Sequence, residues 1–169
     1  MAFNIRQIFR SLADAQVEYV VVGGFAVIMH GHLRVTRDLD LVIGLNPENC
    51  RRGLGALESI GLRPRLPVAM SDFADTSKRA DWVANRNMLV FQLWDPSNAE
   101  RSVDVFVREP FDFSAMLAEA TVKDLDGISI PVASIRHLIA MKMEAGRSVD
   151  LDDIEQLRQI AIETGQAQS

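Results

Sequence analysis

Cysteine is nearly absent from the chain: Cys50 is the only one in 169 residues. That excludes an intrachain disulfide framework and a cysteine-rich zinc site. A basic excess is missing too. Eighteen lysines and arginines face 23 aspartates and glutamates, for a formal net charge of −5. Domains that grip nucleic acid over a broad surface carry the opposite balance. A local basic groove, or a polyanion that arrives with metal ions, still fits. Long apolar runs are also lacking. The longest, Val17 to Met29, is broken by Glu18 and by Gly23-Gly24 and is too short to span a bilayer. Residues 1–6 show no charged segment leading into an apolar run, so no signal peptide is expected and the cytoplasm is the expected compartment. Histidine is scarce. His30 and His32 lie too close in sequence to form a useful metal signature and read as solvated loop residues; His137 is the third.

Hydrophobic residues at 48% and charged residues at 24% place the chain among globular domains rather than disordered ones. Its length fits a single domain over residues 1–169, with a core over about 17–132 and C-terminal helices over about 134–164. The patterning predicts a helix over 4–16 capped by Asn4, a buried strand over 18–22, a short helix from Phe25 to His30 and a strand over 35–43. A helix opens at Asn46-Pro47 and stops at Gly61. Residues 62–87 carry no clear pattern beyond a helical stretch near Lys78–Ala84. Strands over 88–94 and 102–107 form a hairpin across a turn at 95–98, 112–119 is helical, and Asp126-Gly127 turns a second, smaller hairpin over 121–132. Two helices close the chain. Ser134 to Ala145 carries Ile135, Leu138, Ile139 and Met143 on one stripe, and Asp150 to Glu163 carries Leu151, Ile154, Leu157 and Ile160. The tail from Gly165 to Ser169 reads as frayed. The order predicts an α/β (α+β) domain with one mixed sheet, flanking helices and a helical C-terminal end.

Three features carry chemistry. A buried strand runs into Gly23-Gly24 and then a helix, which reads as a phosphate cradle or as a plain tight strand-to-helix turn. The spacing is neither a dinucleotide fingerprint nor a P-loop. Asp38 and Asp40 share one face of a strand. Two adjacent carboxylates repel, and a divalent cation such as Mg²⁺ or Mn²⁺ removes the conflict; the alternative is a strand edge projecting two solvated aspartates. Asp104 sits inside the apolar strand Ser102 to Val107, either as a third carboxylate of the same group or as a half-exposed strand residue.

Gly23-Gly24, thirteen residues, Asp38-Leu39-Asp40 and a later strand Asp104 resemble the nucleotidyltransferase superfamily of the DNA polymerase β type. The fuller run Arg34-Val35-Thr36-Arg37-Asp38-Leu39-Asp40 is similar to the AbiEii-type toxin nucleotidyltransferases and their small relatives. So is the C-terminal pattern of Lys142, Arg147, Asp150 and Asp153. The resemblance implies a nucleotidyltransferase fold and the transfer of a nucleoside monophosphate from an NTP, such as ATP, with release of pyrophosphate. It implies two Mg²⁺ ions on Asp38, Asp40 and Asp104, with these three as the catalytic set. Gly23, Gly24, Arg34, Thr36, Lys142 and Arg147 become the nucleotide-binding residues. Arg37 has the opposite strand parity and is left out. Asp150 and Asp153 read as caps of the last helix or as partners of Lys142 and Arg147.

The acceptor is open among tRNA, a protein and a small molecule. A toxin role implies a cognate antitoxin. Two readings compete: a non-catalytic nucleotide-binding protein of the same fold, and a metal-dependent phosphohydrolase, which would release orthophosphate. Two divalent ions would offset most of the net charge of −5, so the acidity itself fits a cation-loaded site.

Overall fold

The computed structural model describes residues 4–166. Helix α1 (Ile5–Asp14) starts where Asn4 Oδ1 accepts from the backbone N–H groups of Arg6 and Gln7, and it buries Ile8, Phe9 and Leu12. Strand β1 (Tyr19–Val22) is buried at every position. It runs straight into α2 (Gly23–Met29), so the two glycines form the first turn of the helix rather than a loop before it.

Strand β2 spans Asp38–Ile43, three residues shorter at its start than the patterning predicts. Residues 31–37 are drawn out of the sheet instead, by contacts of Arg34 and Thr36 described below. Helix α3 (Pro47–Ser59) is capped by Asn46 and followed by Gly61 at φ +99°, as the sequence indicates. The unpatterned stretch holds a two-residue strand β3 (Arg63–Pro64), a 3-10 turn (Met70–Ala74) and α4 (Thr76–Arg86), capped by Asp75.

The predicted hairpin is β4 (Val90–Asp95) with β5 (Asn98–Phe106), and β5 begins earlier than its apolar part. Helix α5 (Phe113–Ala118) precedes the smaller hairpin of β6 (Thr121–Leu125) and β7 (Ile128–Val132), turned at Asp126 and Gly127, both at positive φ. Helices α6 (Ile135–Ala145) and α7 (Ser148–Glu163) end the chain. The C-terminus of α7 is tied by bonds from Gly165 and Gln166 back to Ile162 and Ala161, so these two residues are capped rather than frayed; 167–169 lie outside the described residues.

Seven strands form one mixed sheet in the order β3-β4-β5-β2-β1-β7-β6. β1 pairs antiparallel with β2 and parallel with β7, while β2 pairs parallel with β5. Val103, Val105, Phe91 and Leu93 fill the core from one face of the β4–β5 hairpin. The opposite face, with Val90, Gln92, Trp94, Asp104 and Phe106, is half-exposed. No helix among the described residues is long and apolar enough to cross a membrane.

The two last helices bury an unexpected stripe. In α6, Ile135 and Leu138 are inside as predicted, but Met143 is 62% exposed and Lys142 is buried. In α7, Leu151 is 69% exposed while Asp150 and Asp153 are fully buried beside Ile154 and Leu157. Charge pairing between the helices sets their rotation and overrides the apolar pattern.

Candidate active site

The centre of the sheet brings the three predicted carboxylates onto one face. In the parallel β2–β5 ladder Asp40 stands opposite Asp104 and Asp38 opposite Ser102. The hydroxyl of Ser102 lies 2.8 Å from Asp38 Oδ1 and 3.0 Å from Asp104 Oδ1, and its single proton is shared between them. Gln92, opposite Asp104 on β4, donates to the same Asp104 Oδ1 at 3.1 Å. Ser102 and Gln92 are absent from the motif reading. Their signals are simple: Ser102 lies two residues before Asp104 on one strand, and Gln92 lies in the hairpin register opposite it.

Asp40 is the most strained of the three. Burial pushes its carboxyl up to about 7, with the charges of Asp104 and Asp38 adding to the shift. Among the described residues no hydrogen-bond donor reaches it; only the more distant charges of Arg147 and Lys142 oppose the shift. Burial likewise pushes Asp104 up, and the bonds from Gln92 and Ser102 offset part of it. The Asp40 carboxylate, and the second oxygen of Asp38 and of Asp104, are thus left for another ligand.

Gly23 and Gly24 lie directly against this group. A Cβ on Gly23, whose φ is +68°, would fall 2.1 Å from Asp40 Oδ2. A Cβ on Gly24 would fall 2.9 Å from Thr36 Oγ1 and 3.3 Å from Arg34 Cζ. Thr36 and Arg34 therefore reach the site although they lie before the strand. The Thr36 hydroxyl bonds the carbonyl of Asp38 at 3.2 Å, and the Arg34 guanidinium pairs with Asp153.

Asp153 belongs to a buried ion cluster at the α6–α7 junction. Lys142 Nζ lies 2.6 Å from Asp153 Oδ2 and 3.3 Å from Asp150 Oδ1. Arg147 donates from Nε to Asp150 Oδ2 at 2.9 Å and from Nη2 to Oδ1 at 3.2 Å. Burial raises the Asp150 carboxyl, but the Arg147 bonds bring it below its ordinary value. Helix α7 starts at Ser148, so Asp150 caps from inside the first turn, bonding the backbone N–H of Arg147, rather than as the residue before the helix. Arg147 itself is 69% exposed along its side chain and close enough to act on Asp40.

Of the two histidines expected in solvated loops, His30 is buried and His32 is part-buried in the loop after α2. His30 is buried with Nε2 2.8 Å from the carbonyl of Ala133, and burial lowers its pKa. His137 is buried beside Ser134 and Phe111. His32 Nε2 lies 3.4 Å from Asp152 and 3.9 Å from Asp153. These three are the one group among the described residues whose metal-binding atoms lie within 4.8 Å of one another. The other oxygen of Asp153 already serves Lys142 and Arg34, so two cations occupy the charge that an ion there would need. Asp38, Asp40 and Asp104 are spread wider, as expected of like charges, but they present the unbonded hard oxygens that suit Mg²⁺.

No family model and no curated protein matches the chain. Solved structures do. The antibiotic-resistance factor ANT(2'')-Ia is 15% identical, with a TM-score of 0.58 over 95% of this chain and 82% of its own. The lincosamide antibiotic adenylyltransferase LnuA, lincomycin-bound, is 16% identical, with a TM-score of 0.61 over 93% of this chain and 98% of its own. An antigenic nucleotidyltransferase-like protein from Paracoccidioides brasiliensis is 18% identical, with a TM-score of 0.52 over 90% of this chain and 72% of its own. The seven-stranded mixed sheet with its flanking helices is the nucleotidyltransferase fold.

Proposed function

We propose that the protein transfers a nucleoside monophosphate from an NTP to a hydroxyl-bearing acceptor and releases pyrophosphate, with Mg²⁺ held by Asp38, Asp40 and Asp104. The observation that carries this reading is the Asp40 carboxylate: half-buried, opposite Asp104, pressed against the Gly23-Gly24 turn and reached by no hydrogen-bond donor among the described residues. Such a group costs stability unless a cation arrives.

When bound, two divalent ions supply positive charge against the triphosphate and lower the pKa of the acceptor hydroxyl. The chain's own residues then position and stabilise. Ser102 and Gln92 fix one oxygen of Asp104 and leave the other to take the acceptor's proton. The acceptor oxygen bonds the α-phosphorus, the bond to the bridging oxygen breaks, and pyrophosphate leaves. Arg147, exposed beside Asp40, contacts the departing phosphates. Gly23 and Gly24 let the triphosphate approach the backbone, flanked by Thr36 and by Arg34. Lys142 acts from the buried cluster, lending positive potential to Asp40 rather than a free ammonium to the phosphates.

Structures sharing this fold include ANT(2'') with adenylyl-2''-tobramycin and LnuA with lincomycin, which favours a small-molecule acceptor here, as does the acidic balance. A toxin role, with a neutralising partner in the cytoplasm, rests on the sequence motifs and is tested by growth arrest on expression of the chain alone. The reaction is tested with each NTP labelled at the α-phosphate, Mg²⁺, and total RNA, total protein or a small-molecule panel. Label is expected in one acceptor class with matching pyrophosphate. Label in none, or release of orthophosphate, would replace the reading with binding or hydrolysis.

A further inference from the structure

Beyond Asp104 the same sheet face continues onto the β4–β5 hairpin as paired rungs: Gln92 opposite Asp104, Trp94 opposite Ser102, and Val90 opposite Phe106. Gln92 bonds both Asp104 and Ser102 from this face, and Trp94, two residues on, shares it. Val90, Trp94 and Phe106 are each half-exposed here, while their neighbours Phe91, Leu93, Val103 and Val105 are buried on the other side. Arg65 lies across the Trp94 ring with Cζ 5.1 Å from the centroid. Its Nη2 donates to the carbonyl of Ala99 at 3.2 Å, which ties the guanidinium to β5. Its charge is felt at Asp104. Among the described residues no carboxylate forms an ion pair with it.

The geometry points to this shelf as the acceptor subsite, and to an acceptor that carries a flat unsaturated ring and no net positive charge. The inference rests on the proposed transfer reaction and names the substrate class of that same site. The Gly23-Gly24 turn and Arg147 lie by Asp40, on the β1 and α7 side of the triad, and leave the β4–β5 side for the second substrate. A ring laid on Trp94 and Arg65 gains stacking and cation–π contact. With the three carboxylates engaged by divalent ions, Arg65, stacked on Trp94, puts positive charge on the ring side of the acceptor. A cationic acceptor is repelled there and an anionic one is held.

The test uses the full chain loaded with Mg²⁺ and α,β-methylene-ATP, whose binding is checked first by calorimetry. Four probes follow: phenyl β-glucoside, its anionic glucuronide, its cationic glucosaminide, and methyl β-glucoside, which has no aromatic ring. Ring-proton saturation transfer reports contact for the phenyl probes, and titration gives relative Kd for all four. The glucuronide is expected to bind at least fivefold tighter than the glucosaminide, and methyl glucoside the weakest. Trp94→Ala is expected to abolish ring saturation while keeping the nucleotide affinity. Arg65→Met is expected to erase the preference for the anionic probe. Equal binding in Trp94→Ala, no ring saturation in the unaltered chain, or a glucosaminide that binds as well as the glucuronide would overturn the subsite. Failure to bind the nucleotide analogue would instead overturn the transfer reaction.

Discussion

Hydrogen is the only side chain that Asp40 leaves room for at position 23. A methyl group there would sit 2.1 Å from Oδ2 in a left-handed backbone conformation. Gly23→Ala is therefore expected to destabilise the chain by about 1–3 kcal/mol and to displace Asp40. Urea unfolding and Mg²⁺ titration check it; an unchanged midpoint with unchanged metal affinity contradicts it. The sequence marks this glycine pair as a place of close approach, but not what approaches. The space is taken first by Asp40, Thr36 and Arg34, from a later part of the chain. Asp40 also fixes a pH dependence. Its folded pKa of about 7 lies above the ordinary carboxylate value, so between the two the folded chain holds more protons than the unfolded one. The stability it contributes is full below the unfolded value and is lost as pH rises through about 7. With EDTA present, the stability of the unaltered chain relative to Asp40→Asn is expected to fall between about pH 5 and about pH 8. Urea midpoints at the two pH values measure it, and a constant difference contradicts the assignment.

At the scale of elements, hydrophobic period located nearly every helix and strand but misjudged the rotation of the last two helices. Met143 and Leu151 fit the apolar stripes and yet face solvent; Lys142, Asp150 and Asp153 break them and are buried. A period count scores each charge as polar, whereas a charge matched by an opposite charge on the facing helix can be buried. β2 starts later than its residue pattern predicts for a related reason. Val35 fits a strand, but Arg34 pairs with an aspartate 119 residues away and holds residues 31–37 out of the ladder. The cluster predicts an asymmetry. Asp153→Ala leaves Lys142 and Arg34 without their shared partner and is expected to cost about 3–5 kcal/mol. Lys142→Met leaves Asp150 with Arg147 and Asp153 with Arg34, and is expected to cost less. Denaturant unfolding of the two variants decides it; equal losses, or a larger loss for Lys142→Met, contradict the hub role of Asp153.

For the whole molecule, the candidate site draws on segments far apart in the chain. The β1–α2 turn, β2, the β4–β5 hairpin and the α6–α7 junction all contribute side chains. Several links tie the C-terminal part to the rest: β7 pairs with β1, Asp153 pairs with Arg34, and His30 bonds the carbonyl of Ala133. We expect one cooperative thermal transition rather than separate melting of the terminal helices, monitored by near- and far-ultraviolet circular dichroism; resolved transitions would contradict it. The pairing of Asp38 with Asp40 and the order of elements are legible in the sequence because spacing and strand parity encode them; Asp104 joins the two only through the family resemblance. The shelf at Trp94 and Arg65 was not, because only the sheet register places β4 beside Asp104. The proposed reaction is metal-dependent transfer at Asp38, Asp40 and Asp104. Pyrophosphate release from NTP with Mg²⁺, measured for the unaltered chain and for Asp40→Asn, tests it most directly. Release from the unaltered chain is expected, abolished by EDTA and lowered at least about a hundredfold in Asp40→Asn. Undiminished release in Asp40→Asn would contradict it.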